Sequence, residues 1–191
     1  MSVREIVAIG DPVLREPARE VDPDELRTAR VQALIDDLIE TRRAANGAGL
    51  AAVQIGEPLR IAVAENDGAN PRYPYKPPIP LTVMVNPALE PADPETVLIN
   101  GGCLSVPDLR GDLERHVAVR VRYLDREGNE HDEVVRGLTA GTFQHEVDHL
   151  NGVLFVDRAN PRSLATWEQF ERYQREAFVA RAEALVARTG S

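Results

Sequence analysis

The sequence predicts an α+β fold in which antiparallel strands surround a buried central helix, with further helices at the N- and C-terminal flanks. Three observations carry this. An amphipathic stripe lies near the N-terminus, several short β-branched runs are separated by turn signals, and a late helical segment flanked by apolar residues contains "QHEVDHLNG" (144–152). With 191 residues, 43% of them apolar, the chain can bury one core, so a single domain over residues 1–191 is expected.

From Asp24 to Ala45, Val31, Leu34, Ile35 and Leu38 recur at helical spacing, and Asn46-Gly47 supplies the stop. "LRIAVA" (59–64) and "LTVMVNP" (81–87) read as strands. Between them "GANPRYPYKPPIP" (68–80) has five prolines in thirteen residues, too many for a regular element, and is expected to be a solvated surface connector. Strands return at "TVLI" (96–99) and in "HVAVRVRYLD", where Val117, Val119, Val121 and Tyr123 alternate. The turn "REGN" and "EHDEVVRG" then complete a hairpin. A helix from about Leu138 to Leu150 ends at Asn151-Gly152, and a last helix is expected over about 163–187.

A net charge of −9 and a pI near 5.0 exclude a partner whose phosphates must be neutralised, so no nucleic acid is expected. The N-terminus has no long apolar run, and nowhere do eighteen apolar residues occur together; the expectation is a soluble, cytoplasmic protein away from membranes. The lone cysteine, Cys103, cannot form an internal disulfide, which leaves a packed thiol, a reactive thiol or a metal ligand.

Chemistry concentrates in the late helix. His145 and His149, four apart, project from one face and can address one ion, with Glu146 beside the first. The bland alternative is a polar helix face. Against it, the chain has only four histidines, and Phe143, Val147, Leu150, Leu154 and Phe155 mark this segment as buried. Imidazoles and carboxylates in a core are costly unless each finds a partner. A catalytic zinc or iron site typically takes three protein ligands, and Cys103 in "NGGCLSVP" is the candidate third, its paired glycines allowing a tight turn. "GAGLAAVQIG" (47–56) adds close backbone approach and the Gln54 amide, although alone it reads more readily as a Gly-rich helix stop followed by a small-residue packing segment.

Taken in order, "GAGLAAVQ", "GGCLS" and "QHEVDHLNG" resemble the motifs GxGLAAxQ, EGCLS and QHExDHLxG of the bacterial peptide deformylases, and "DPVLREPA" and the hairpin "RVRYLDREGNE" fall where that family has them. The resemblance implies removal of formyl from the N-terminal formylmethionine of new polypeptides, possible contact with the ribosome, and a monomer. It implies one Fe2+ per chain, replaceable by Zn2+, Ni2+ or Co2+, held by Cys103, His145 and His149. Glu146 would be the general base, and the Gln54 amide and Leu104 backbone N–H would stabilise the oxyanion. The peptide would add as a strand near Ala48, Gly49 and Gly102, with Arg110 alongside. The methionine pocket would involve Ile99, Leu138, Gly141, Thr142 and His145.

One departure stands out: Gly101 replaces the glutamate of EGCLS. Arg115 then loses its usual partner unless Asp108 or Glu114 substitutes, and Gly101→Glu is expected to raise activity. Two rival readings use the same helix. One is a peptidase whose third ligand is Glu168 or Glu171; the other is a closed structural ion completed by Asp148 or His116.

Overall fold

Caps and turns set the first elements of the structure, a computed structural model that describes residues 2–68, 70 and 75–191. Asp11 opens a 3-10 turn over Pro12–Arg15 by accepting from the Val13 N–H. The stretch expected as one helix is two, α1 (Pro23–Leu26) and α2 (Ala29–Ala44). Thr28 lies between them in extended conformation, its hydroxyl accepting from Val31 N at 3.4 Å, so a cap residue restarts the helix.

The strands are β1 (Gly49–Ala51), β2 (Ile61–Asn66), β3 (Ile79–Pro91), β4 (Thr96–Cys103), β5 (Val106–His116), β6 (Ala118–Leu124) and β7 (Glu130–Arg136). After them come α3 (Gly137–Leu150), α4 (Phe155–Arg158), a short β8 (Ala165–Thr166), α5 (Trp167–Tyr173) and α6 (Arg175–Thr189). Among the described residues two sheets result, one of five strands in the order β1-β2-β3-β6-β7 and one of three in the order β4-β5-β8, with every ladder between them antiparallel. The α+β expectation is met. β5 escaped the sequence reading because "VPDLRGDLERH" is rich in charge; it buries Arg110 and Arg115 along with Leu113.

Burial on both faces explains why β2 and β3 are apolar without alternation. Ile61, Val63, Val83 and Val85 meet Leu34, Ile35 and Leu38 of α2, whereas Ala62, Ala64 and Met84 join Phe143 and Leu150 of α3 on the other side. Val106 and Leu113 of the smaller sheet close over α3 in the same cluster, which makes this helix the central one. At the C-terminus the expected single helix breaks at Gln174. The break lets Phe170 of α5 and Phe178, Ala182 and Leu185 of α6 bury together with Val117 and Leu138. Among the described residues no helix is long and apolar enough to cross a membrane.

Candidate active site

Helix α3 carries His145 and His149 one turn apart, with their Nε2 atoms 3.2 Å from each other and the rings nearly perpendicular. Cys103 ends β4 where the β4–β5 register shifts between Gly102 and Cys103. This irregularity re-aims the side chain toward α3. Its Sγ lies 3.2 Å from His149 Nε2. The three donor atoms all lie within 4.8 Å of one another, forming the one group of at least three His, Cys or acidic side chains among the described residues suited to hold an ion. Bonds of about 2.0–2.3 Å to a single ion need separations of this order.

The local electrostatics also fit a cation. Burial pushes the Cys103 thiol up to about 12, lowers His149 to about 4 and holds His145 well below its ordinary range. Burial likewise raises Glu146 to about 8, against the pull of Lys76 and Arg115. Neutral imidazoles are ready donors, and only a nearby positive charge makes a buried thiolate stable. The Glu146 carboxyl turns into the same space, where Oε2 is buried and has no hydrogen-bond partner. Gly49 is what admits it, because a Cβ there would overlap the carboxylate.

Gln54 is oriented by the backbone three residues before it. Ala51 N–H donates to Oε1 at 2.9 Å, which turns Nε2 toward Ser105 Oγ at 3.1 Å and leaves it 3.6 Å from Cys103 Sγ. An N-terminal segment ties both loops together: Val7 N donates to the Gln54 carbonyl at 2.9 Å and Ile9 N to that of Ser105 at 2.7 Å.

One cleft of about 770 Å³, its mouth included, contains every residue that the sequence associated with peptide, oxyanion and side-chain pocket. Ala48, Gly49 and Gln54 line one wall and Gly102, Leu104 and Arg110 another; Ile99, Leu138, Gly141 and Thr142 enclose its apolar part. His149 sits behind them, fully buried. Arg110 is locked by Asn100, with Nε donating to Oδ1 at 2.7 Å and Nη2 to the backbone carbonyl at 2.9 Å. The faces of Trp167 and Phe170 lie 4.6 and 4.3 Å from its guanidinium.

Several expectations need correction. Gly101 and Gly102 make no tight turn; they are paired within β4, opposite Gly111 and Arg110, and the chain reverses at Leu104–Ser105. The partner of Arg115 is neither Asp108 nor Glu114 but Asp148, 2.5 Å away, which also accepts from Arg158 at 2.8 Å. Asp148 is thereby occupied, and neither it nor His116 joins the ligand group. Glu168 and Glu171 are exposed on α5, Glu171 facing Arg175 at 3.3 Å, so the peptidase ligand set does not assemble.

The proline-rich stretch is likewise more than a connector. Residues 69 and 71–74 lie outside the described residues, but Tyr75 and Lys76 line the cleft, and Lys76 Nζ donates to Thr142 Oγ1 at 2.8 Å. Burial lowers Lys76 to about 8. Sequence periodicity offers no signal for either residue, because what places them is tertiary: Asn66 Nδ2 donates to the carbonyls of Lys76 and Pro77 at 3.1 and 2.8 Å.

Comparison with known proteins agrees with this geometry. The family model for polypeptide deformylase matches residues 3–165. Peptide deformylase of Leptospira biflexa is 42% identical over 164 residues, 86% of this chain and 92% of that one. The chloroplastic/mitochondrial peptide deformylase 1A of Arabidopsis thaliana is 45% identical over 175 residues, 87% of this chain and 65% of that one. Among solved structures, the Met-Ala-Ser-bound class I type b peptide deformylase of Acinetobacter baumannii superposes with a TM-score of 0.79 at 39% identity, covering 82% of this chain and 98% of that one. A matched family model over most of the chain, relatives above 40% identity and a shared fold lead to one conclusion: this chain belongs to the polypeptide deformylase family.

Proposed function

We propose that this chain is a metal-dependent hydrolase that removes the formyl group from the N-terminal formylmethionine of newly synthesised polypeptides and releases formate. The observation that carries the reading is the convergence of Cys103, His145 and His149 beside the partnerless Glu146 oxygen, at the floor of a cleft. The three ligands would hold one divalent ion, which supplies Lewis acidity toward water and the formyl oxygen. A thiolate with two imidazoles suits Fe2+ and Zn2+ alike. The family resemblance favours Fe2+ as the resident ion, with Zn2+, Ni2+ or Co2+ able to replace it.

The remaining work falls to side chains and backbone. Glu146 takes a proton from the attacking water and passes it to the departing amine, a task for which its buried, partnerless Oε2 is placed beside the ligand group. Gln54 Nε2, pre-aimed by Ala51, and the Leu104 N–H donate to the oxygen that gains charge as the formyl carbon becomes tetrahedral. Among the described residues β1 pairs only with β2, and β4 only with β5, so each offers a free edge beside the cleft. A peptide laid along Ala48, Gly49 and Gly102 would be bound through its main chain beside Arg110, and the first side chain would enter among Ile99, Leu138, Gly141, Thr142 and His145. Such a mode is indifferent to most of the nascent sequence. We place the reaction in the cytoplasm, on chains emerging from the ribosome, carried out by a monomer.

The test is formate release from a formyl-Met tripeptide by protein loaded anaerobically with iron. Glu146→Gln should keep the metal and lose about 10²–10⁴-fold in rate, whereas Cys103→Ala should lose the metal. A Cys103→Ala protein that retains both metal and activity would overturn the ligand set.

A further inference from the structure

Strand β5 sends the Arg110 side chain across the smaller sheet. In the ladder Arg110 stands opposite Gly102 of β4, and its guanidinium reaches along that strand to Asn100, where Nε and Nη2 donate to the side-chain and backbone oxygens. Nη1 is left over: it is buried and, among the described residues, has no hydrogen-bond partner. It lies 3.4 Å from the place a Cβ of Gly102 would take, so any side chain at 102 would stand against it.

What fixes the guanidinium comes from outside these two strands. β8 pairs Ala165 with Arg110 and Thr166 with Leu109, which sets the start of α5 beside the arginine. Trp167 N donates to Asp108 Oδ1 at 3.2 Å, and Phe170, buried, packs against Phe178 of α6 with ring centroids 5.9 Å apart. The rings of Trp167 and Phe170 stand 4.6 and 4.3 Å from the guanidinium carbon and 6.1 Å from each other, so they meet it as a corner and not as a sandwich. A planar cation held by two aromatic rings and two hydrogen bonds has little freedom to turn. Both rings lie past residue 165, where the match to the family model stops.

We infer that Trp167 and Phe170 are positioning residues that hold Arg110 so that Nη1 donates to a main-chain carbonyl of the substrate beyond its first residue. This rests on the reading of β4 as an edge along which the peptide lies, with Gly102 under its main chain. The formyl end is assigned to Cys103 and the two histidines, so the carbonyl that reaches Arg110 belongs further along the peptide. Such a contact reads peptide length and ignores side chains, since every residue offers the same oxygen. A charge-assisted bond from a guanidinium already aimed loses little to ordering, whereas one free to swing must be immobilised on binding.

The experiment measures kcat/KM for formyl-Met-Ala-Ser and for formyl-Met amide with iron-loaded protein and reads their ratio. Trp167→Ala should lower the ratio by about tenfold, the worth of a hydrogen bond to a charged group, with the loss carried by KM of the tripeptide. Trp167→Phe, which keeps an aromatic face, should stay within about threefold of wild type. Arg110→Leu should lower the ratio as far as Trp167→Ala does, and combining the two should lower it no further. If both substrates fall together in Trp167→Ala and the ratio stays within about twofold, the ring is merely structural and the proposal is overturned. A further drop in the double variant also overturns it, because the indole would then touch the peptide itself, and so does a Phe variant as low as the Ala variant. If Trp167→Ala does not fold, Trp167→Leu decides by the same criteria. Arg110→Leu separates the two layers: if it leaves the ratio unchanged, or if the wild-type ratio is already near one, the peptide seat beside Arg110 fails and the proposal with it. If it removes the advantage of the tripeptide while Trp167→Ala preserves it, the seat stands and the role of the two rings alone is overturned.

Discussion

A Cβ at position 49 would collide with the Glu146 carboxylate, so the smallest possible substitution probes the base without touching it. Gly49→Ala should leave metal content at one ion per chain while the rate falls by about 10²-fold, the cost of moving a reacting group by an ångström; kinetics paired with metal analysis checks both halves. Gly101 is constrained differently. Its backbone is ordinary strand, but Leu113 fills the room. Gly101→Glu alone is expected to lose about 1–3 kcal/mol in denaturant unfolding through overpacking. The rise in activity expected from restoring the acid should therefore emerge in the Gly101→Glu/Leu113→Val pair. The convergence of His145, His149, Cys103 and Glu146 was legible because the proposed chemistry demands those residue types at that spacing. The pairing of Asp148 with Arg115 was not, since it joins α3 to β5 across 33 positions of chain and leaves no local trace.

At the level of elements, the β6–β7 hairpin shows how a turn can be read and then tested. Asp125 accepts from the N–H groups of Glu127 and Asn129 and from Asn129 Nδ2, each at 2.9 Å, and faces His131 Nε2 at 3.0 Å. Burial alone would raise its pKa, but the hydrogen bonds from His131 and Asn129 prevail and hold it far below the ordinary 3.8. Since the folded pKa is depressed, the carboxylate contributes stability that is fully present above the unfolded value and disappears as pH falls through the folded one. Asp125→Ala should lower the urea midpoint at pH 7, and the gap to wild type should narrow progressively once pH drops below 3.8; a gap unchanged in acid would contradict this. The hairpin itself was legible from strict alternation around "REGN". β5 was hidden because its buried positions include arginines, and the breaks after α1 and α5 were hidden because a cap and a bend interrupt otherwise continuous helical patterns.

For the molecule as a whole, the proposed ligands come from different layers. Two sit on α3 and the third on β4 of the smaller sheet, so a bound ion would fasten that sheet to the central helix. Ligand that binds only the native state stabilises by mass action, about 2.7 kcal/mol at a free concentration of 100 times Kd. For a chain of this size that is roughly 5–11 °C in Tm. Chelation followed by anaerobic re-addition of metal should move the melting temperature down and back by this amount, and an unmoved transition would argue against a buried ion. Which faces of β2 and β3 each partner covers was not legible, because runs buried on both sides lose the alternation that assigns a face. One small tie has practical weight: Val7 and Ile9 clasp the carbonyls of Gln54 and Ser105. Trimming or relabelling the N-terminal stretch for purification would remove this clasp on the two segments to which the proposed mechanism assigns the charge of the reacting oxygen, and is expected to lower turnover.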